Sequence, residues 1–184
     1  MKKILEVLSP YLEDAIKMIV ILFAVVAVLI FIGQKSLAVF YRYPLDYGEA
    51  PLVDQAMRLA QGQPLYRRDL TTPPYTVSNY PPLYPLVLTP FVALFGPAFW
   101  PGRLISTLGA LATAYFIGRI VQGQTGDRTA GRMAGVLFLA IPYVGRWSSL
   151  ARVDLLALAL SMAGLAVLTQ HGDTRKGLIE GALL

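Results

Sequence analysis

Any acid, base or metal chemistry in this chain must rest on carboxylates. The sequence holds no cysteine and a single histidine, His171, which excludes disulfides, thiolate catalysis, cysteine-ligated metals and any multi-histidine site. Three carboxylates stand out by position. Asp46 and Glu49 sit close together in YPLDYGEAP, just beyond a long apolar run, and Asp154 follows Arg152 and opens the apolar run LLALALSMAGLAVL. A carboxylate near the end of a membrane span is ordinarily solvated, and Asp154 suits a helix N-terminus. Ionisable residues at membrane depth, however, usually face a cavity and mark function. Oxygen ligands suit Mg²⁺ or Mn²⁺, so Asp154 and Glu49 are candidate metal ligands, although no tight ligand spacing supports them.

The elements that must position these groups are apolar and long. Residues Ala15 to Gly33 read AIKMIVILFAVVAVLIFIG with Lys17 as the only charge, matching the roughly 20 residues that cross a ~30 Å hydrocarbon core. Acidic Glu6, Glu13 and Asp14 precede this run and no small-residue cleavage site follows it, so an uncleaved anchor is expected rather than a signal peptide. Leu104 to Gly118, Met133 to Gly145 and Leu155 to Thr169 are further apolar runs. Arg103, Arg119 and Arg132 can snorkel and lengthen them. The expected architecture is all-α and multi-span, with spans near 15–33, 99–120, 130–146 and 153–170 and another starting at 177–184. Pro142 should end the third within the depth of one leaflet. The final GLIEGALL stops inside an apolar run, which reads as the N-terminal part of a larger protein.

Charge sets the orientation. Lys2, Lys3 and Lys17, then Arg119, Arg128 and Arg132, then Arg175 and Lys176 fall on one side when the N-terminus is cytoplasmic, the positive-inside pattern. The net charge of +5 lacks the basic, aromatic-interleaved run of a nucleic-acid binder, so membrane lipids are the expected partners. Residues 34–98 then form an extracytoplasmic loop. Within it, Glu49 to Ala60 reads as an amphipathic helix on the membrane surface, with Pro51 near its start, Asp54 placed to pair with Arg58, and Gly62 as its stop. Leu83 to Phe95 is too short to span and contains Pro85 and Pro90, so it should lie at the interface. The proline-rich TPPYTVSNYPPLYP presents Tyr75, Tyr80 and Tyr84 on extended backbone. Such tyrosines either stack on sugars or belong to an interfacial belt.

The order of these features carries a resemblance. A first span leads to DYGEAP, then a helix ending in QGQPLY, then NYPPLYP, an apolar stretch ending LFG, GRLIS, and finally ARVDLLALAL. From about residue 15 onward the chain resembles the N-terminal third of membrane glycosyltransferases of the GT-C fold, particularly the bacterial family 39 group of aminoarabinose transferases and protein O-mannosyltransferases. The resemblance implies a catalytic acid at Asp46, with Glu49 beside it, and a second acidic position at Asp154 after Arg152. Relatives often have adjacent Asp and Glu, whereas Tyr47 and Gly48 intervene here. It further implies a polyprenyl-phosphate-linked sugar donor, transfer to a lipid, glycan or protein acceptor outside the cytoplasm, and residence in a bacterial inner membrane.

Such a transfer needs a base for the acceptor hydroxyl, positive charge for the leaving phosphate and tolerance of an oxocarbenium-like sugar. Asp46 is the candidate base. Arg152 and Arg146 are candidate phosphate ligands through bidentate contacts, although arginines at a bilayer surface also meet lipid headgroups. A non-enzymatic membrane protein such as a transporter is the rival reading, but it would place its acids mid-span rather than beside outer loops.

Overall fold

The computed structural model describes residues 2–73, 75–171 and 174–183. Among these the chain is all-α and contains no strand. The elements are α1 (Lys2–Ala38), α2 (Glu49–Ala60), α3 (Leu83–Phe95), α4 (Trp100–Thr125), α5 (Arg128–Ala140), α6 (Pro142–Trp147), α7 (Asp154–His171) and α8 (Arg175–Leu183). Three stretches are long and apolar enough to cross a membrane: Asp14–Ala38 of α1, all of α4 and all of α7. The 26 residues of α4 extend about 39 Å at ~1.5 Å per residue, enough for the hydrocarbon core. Ile19, Leu22 and Phe23 on α1 are largely exposed, the surface expected of a helix whose neighbour is lipid. The chain is thus an all-α membrane protein.

Small residues draw the spanning helices together. A Cβ at Gly109 on α4 would lie 2.6 Å from the Leu155 carbonyl oxygen of α7, and one at Gly135 on α5 would lie 2.6 Å from the Ala114 carbonyl of α4. Such seams bring backbones into van der Waals contact where lipid supplies no hydrophobic drive for association. The third apolar segment is divided. Ile141 is extended, at φ −66° and ψ 120°, as residues before proline prefer, and Pro142 restarts the chain as the short α6.

Outside the long helices, α2 and α3 cover each other. Leu52, Val53 and Ala56 of α2 pack on Tyr84, Leu88 and Val92 of α3. The apolar face of α2, expected to rest on the membrane, is therefore buried against a second helix. At its C-terminus, Gly62 adopts φ +71°, the left-handed region that glycine enters without steric penalty. Arg58 does not pair with Asp54 as the spacing suggests. It donates instead to the Pro64 carbonyl at 2.6 Å and to Thr76 Oγ1 at 3.1 Å, both carried by the chain that follows the turn at Gly62.

Candidate functional site

The site begins with a charge that the fold buries. Arg103, expected to snorkel to the interface, is fully buried in the first turn of α4 and pairs with an equally buried Glu49 at the start of α2. The contact is bidentate: Nε donates to Oε1 and Nη2 to Oε2, each at 2.8 Å. The backbone N–H of Ala151 reaches Oε1 at 2.8 Å and that of Leu45 reaches Oε2 at 2.6 Å. Four donors thus meet the roughly four lone-pair positions of one carboxylate. Burial pushes the Glu49 carboxyl upward, but the Arg103 and backbone hydrogen bonds outweigh it and hold the group below the usual carboxylate range. The remaining Arg103 donors take the carbonyls of Ala38, Tyr41 and Tyr43 at 2.9, 2.5 and 2.7 Å. One guanidinium therefore ties the exit of α1 to α2, α4 and the approach to α7.

That scaffold presents a second guanidinium at the surface. Arg152 donates from Nη1 to Asp46 Oδ2 at 3.0 Å, from Nε to Asp154 Oδ2 at 3.2 Å and from Nη2 to the Tyr80 hydroxyl at 3.3 Å. Its guanidinium also lies 5.5 Å from the centre of the Trp147 ring, a cation–π distance. Burial alone would lower its pKa; the hydrogen bonds to Asp154 and Asp46 overcome this and raise it. The backbone here is fastened by α4: Ser106 Oγ donates to the Arg152 carbonyl at 3.0 Å and Thr107 Oγ1 to that of Ser148 at 2.9 Å. Tyr80 is set by its own segment, where the Tyr66 hydroxyl donates to its carbonyl at 2.7 Å and Ser78 Oγ donates to the Leu65 carbonyl at 2.8 Å.

Gly48 lets the cluster close. Its N–H donates to Asp46 Oδ2 at 2.9 Å. A Cβ there would fall 2.3 Å from Arg152 Nη1 and 3.0 Å from that carboxylate oxygen.

The structure therefore joins Asp46, Arg152, Asp154 and Tyr80. It does not bring the other expected residues to the same point. Glu49 has its oxygens committed to Arg103 and to two backbone N–H groups, leaving no lone pair for a cation beside Asp154. Among the described residues, no three His, Asp or Glu side chains cluster with metal-binding spacing. Tyr84, expected on exposed extended backbone, lies in the first turn of α3, buried, and donates to the Gly102 carbonyl at 3.0 Å. Arg146 is exposed on α6 and lines a separate cavity of about 500 Å³ with Tyr41, Leu45 and Pro142.

Sequence reasoning missed the burial of three cations among the described residues, Lys35, Arg58 and Arg103. Besides Arg103, Lys35 in the last turn of α1 is buried, donating to the Gly145 carbonyl and, at 2.5 Å, to Ser149 Oγ. The signal for Lys35 was a charge following an apolar run, which alone does not separate a buried anchor from a snorkelling one.

Two cavities flank the cluster, each of about 270 Å³. One is lined by Tyr47, Gly48, Gln55, Asn79, Tyr80 and Arg152. The other is mainly apolar, with Leu83, Tyr84, Val153, Leu156 and Leu160 in its walls. Arg152 and its neighbour Val153 thus face different surroundings across a single peptide.

The family model described as dolichyl-phosphate-mannose-protein mannosyltransferase matches residues 79–184, more than half of the chain. The matched stretch contains Tyr80, Arg103, Arg152 and Asp154, while Asp46 and Glu49 precede it. No curated protein and no solved structure matches the chain.

Proposed function

We propose, on the premise that this chain belongs to the dolichyl-phosphate-mannose-protein mannosyltransferase family, that Asp46, Arg152 and Asp154 form the reacting end of a polyprenyl-phosphate-dependent glycosyl transfer. The family makes it a membrane glycosyltransferase of the mannosyltransferase kind. The observation that carries the finer reading is Arg152 clamping Asp46 and Asp154, two carboxylates from distant parts of the chain, at one half-buried point.

In this reading Asp46 takes the proton of an acceptor hydroxyl. The hydroxyl oxygen then bonds to the anomeric carbon of the donor sugar, and the bond from that carbon to the phosphate oxygen breaks, its electron pair leaving with the lipid phosphate. Arg152 has five N–H donors, and those at Asp46, Asp154 and Tyr80 occupy three. The free ones can meet an anionic oxygen. Protonation of Asp46 also weakens its hold on Nη1 just as the phosphate gains charge, so proton uptake and leaving-group stabilisation are coupled. Asp154, the more exposed carboxylate at 42% against 20% for Asp46, keeps Arg152 oriented from the other side. Glu49 is a positioning residue acting through Arg103. The apolar cavity beside Val153 suits the first isoprene units of the carrier. On the positive-inside argument the cluster faces away from the cytoplasm.

The test is sugar transfer from dolichyl-phosphate mannose by the protein in liposomes. Asp46→Asn preserves shape and removes proton acceptance, so turnover should fall by the ~10²- to 10⁴-fold typical of a lost general base while donor binding survives. Near-normal turnover in a folded Asp46→Asn protein would remove Asp46 as the base.

A further inference from the structure

Among the described residues three buried side-chain polar atoms lack a hydrogen-bond partner, Asp54 Oδ2, Gln55 Oε1 and Arg58 Nε, and of these residues Gln55 lines the polar-rimmed cavity beside the reacting cluster. Gln55 lies on α2 with only 2% of its surface exposed, yet its Oε1 is sealed from solvent without a hydrogen-bond partner. Among the described residues its amide nitrogen has no hydrogen-bond partner either. Buried polar groups are almost always paired, because an unpaired one forfeits the hydrogen bonds it had in water. The residue lines the cavity that also receives Gly48, Asn79, Tyr80 and Arg152, and a half-turn about its last side-chain bond exchanges the amide's oxygen and nitrogen at the cavity wall.

The chemistry of that wall selects a ligand. Two carboxamides and a phenol, which can both donate and accept, stand among the apolar Pro51, Leu52 and Val77 of the wall, and its one cation is already held by Asp46 and Asp154. A phosphate, which only accepts, would use the free Arg152 donors and leave the amide oxygens of Gln55 and Asn79 without a donor. Sugar hydroxyls both donate and accept, and they suit the set. The Tyr80 ring borders the same cavity, and Tyr47, 89% exposed, offers a second aromatic face at its mouth. We propose that this cavity is a pyranose subsite in which Gln55 pairs with a ring hydroxyl and so selects the sugar. The inference rests on the glycosyl-transfer reading and extends it from the reacting bond to recognition. The pyranose is either that of the donor or that of a glycan acceptor.

The test uses the protein in nanodiscs and three probes: dolichyl-phosphate mannose, dolichyl phosphate without sugar, and methyl mannoside added with dolichyl phosphate present. Gln55→Met keeps side-chain length and removes both hydrogen-bonding ends; Gln55→Leu is a second apolar replacement. With no protein partner to lose, either variant should melt at or above the wild-type temperature. Loss of about fivefold to tenfold in the preference for the sugar-bearing lipid over the bare one, as one missing hydrogen bond implies, assigns the subsite to the donor. An unchanged preference with methyl mannoside binding weakened by a similar factor assigns it to the acceptor. Wild-type binding of these probes with no change in either variant overturns the subsite and leaves the transfer reading standing. Failure of the wild type to bind any of them overturns both.

Discussion

Glu49 and Arg103, 54 positions apart, meet as a bidentate pair with neither side chain reaching solvent. Both ions have left water, and the accompanying hydrogen bonds are what make this tolerable. Removing one partner strands the other. Glu49→Gln should destabilise the protein by about 3–5 kcal/mol, read as a fall in thermal midpoint in detergent. The pH dependence has a definite sign. The folded state holds the Glu49 carboxyl below its ordinary value of 4.5, so its contribution is present above that pH and is lost as the pH falls through the lower folded value. Glu49→Gln should flatten this acid limb of the stability curve.

Gly48→Ala probes geometry rather than charge. The added methyl collides with the end of the Arg152 side chain, which can rotate away by giving up its contact to Asp46, so the fold should survive with an unchanged thermal midpoint. Asp46 then loses its partner. Transfer should drop by up to ~10²-fold, the scale of an ångström-sized misplacement at a reacting centre.

Arg152→Lys keeps the charge and loses the fork. An ammonium cannot reproduce the planar set of contacts to Asp46, Asp154 and Tyr80. Donor KM should rise and turnover should fall together, whereas simple charge attraction would leave both close to wild type.

The absence of native cysteine makes topology directly measurable with an impermeant maleimide. Tyr47→Cys and Tyr143→Cys should label from one face of sealed vesicles, and Arg128→Cys and Lys176→Cys only after permeabilisation. Arg68→Cys and Pro97→Cys flank α3 and should label from the same face as Tyr47→Cys, since α3 packs its buried face along α2 of the same loop. Opposite labelling of that pair would mean α3 traverses the bilayer and would invert the orientation of every later helix.

How much of this was written plainly in the chain depends on the range of the interaction. Apolar run length declared α1, α4 and α7, and Pro142 declared the break after α5, because both are local properties. The pairing of carboxylates with Arg152 was half legible: Arg152 and Asp154 are neighbours in ARVDLL, while the Asp46 contact spans 106 positions and needs the fold. Glu49 was misleading. Its proximity to Asp46 suggested shared chemistry, but the first turn of α2 points it at Arg103. In GRLIS and the threonine after it, Arg103, Ser106 and Thr107 hold neighbouring backbone and the Gly102 carbonyl takes the Tyr84 hydroxyl, roles that no periodicity in the sequence announces. Tyr84 was hidden by its prolines, which suggested extended chain where α3 begins.

The carbonyls of Ala38, Tyr41 and Tyr43, clasped by Arg103, change what the first helix is. It is not a tether that could be swapped for any other apolar segment. Its final turn and the residues just beyond it are held from the inside of the protein, and Lys35 bolts the same turn to the segment leading into Arg152. A chimera with a foreign anchor joined just before Asp46 should reach the membrane with Arg103 still on Glu49, yet lose the Lys35 contacts to Gly145 and Ser149 and with them the registration of the segment leading into Arg152.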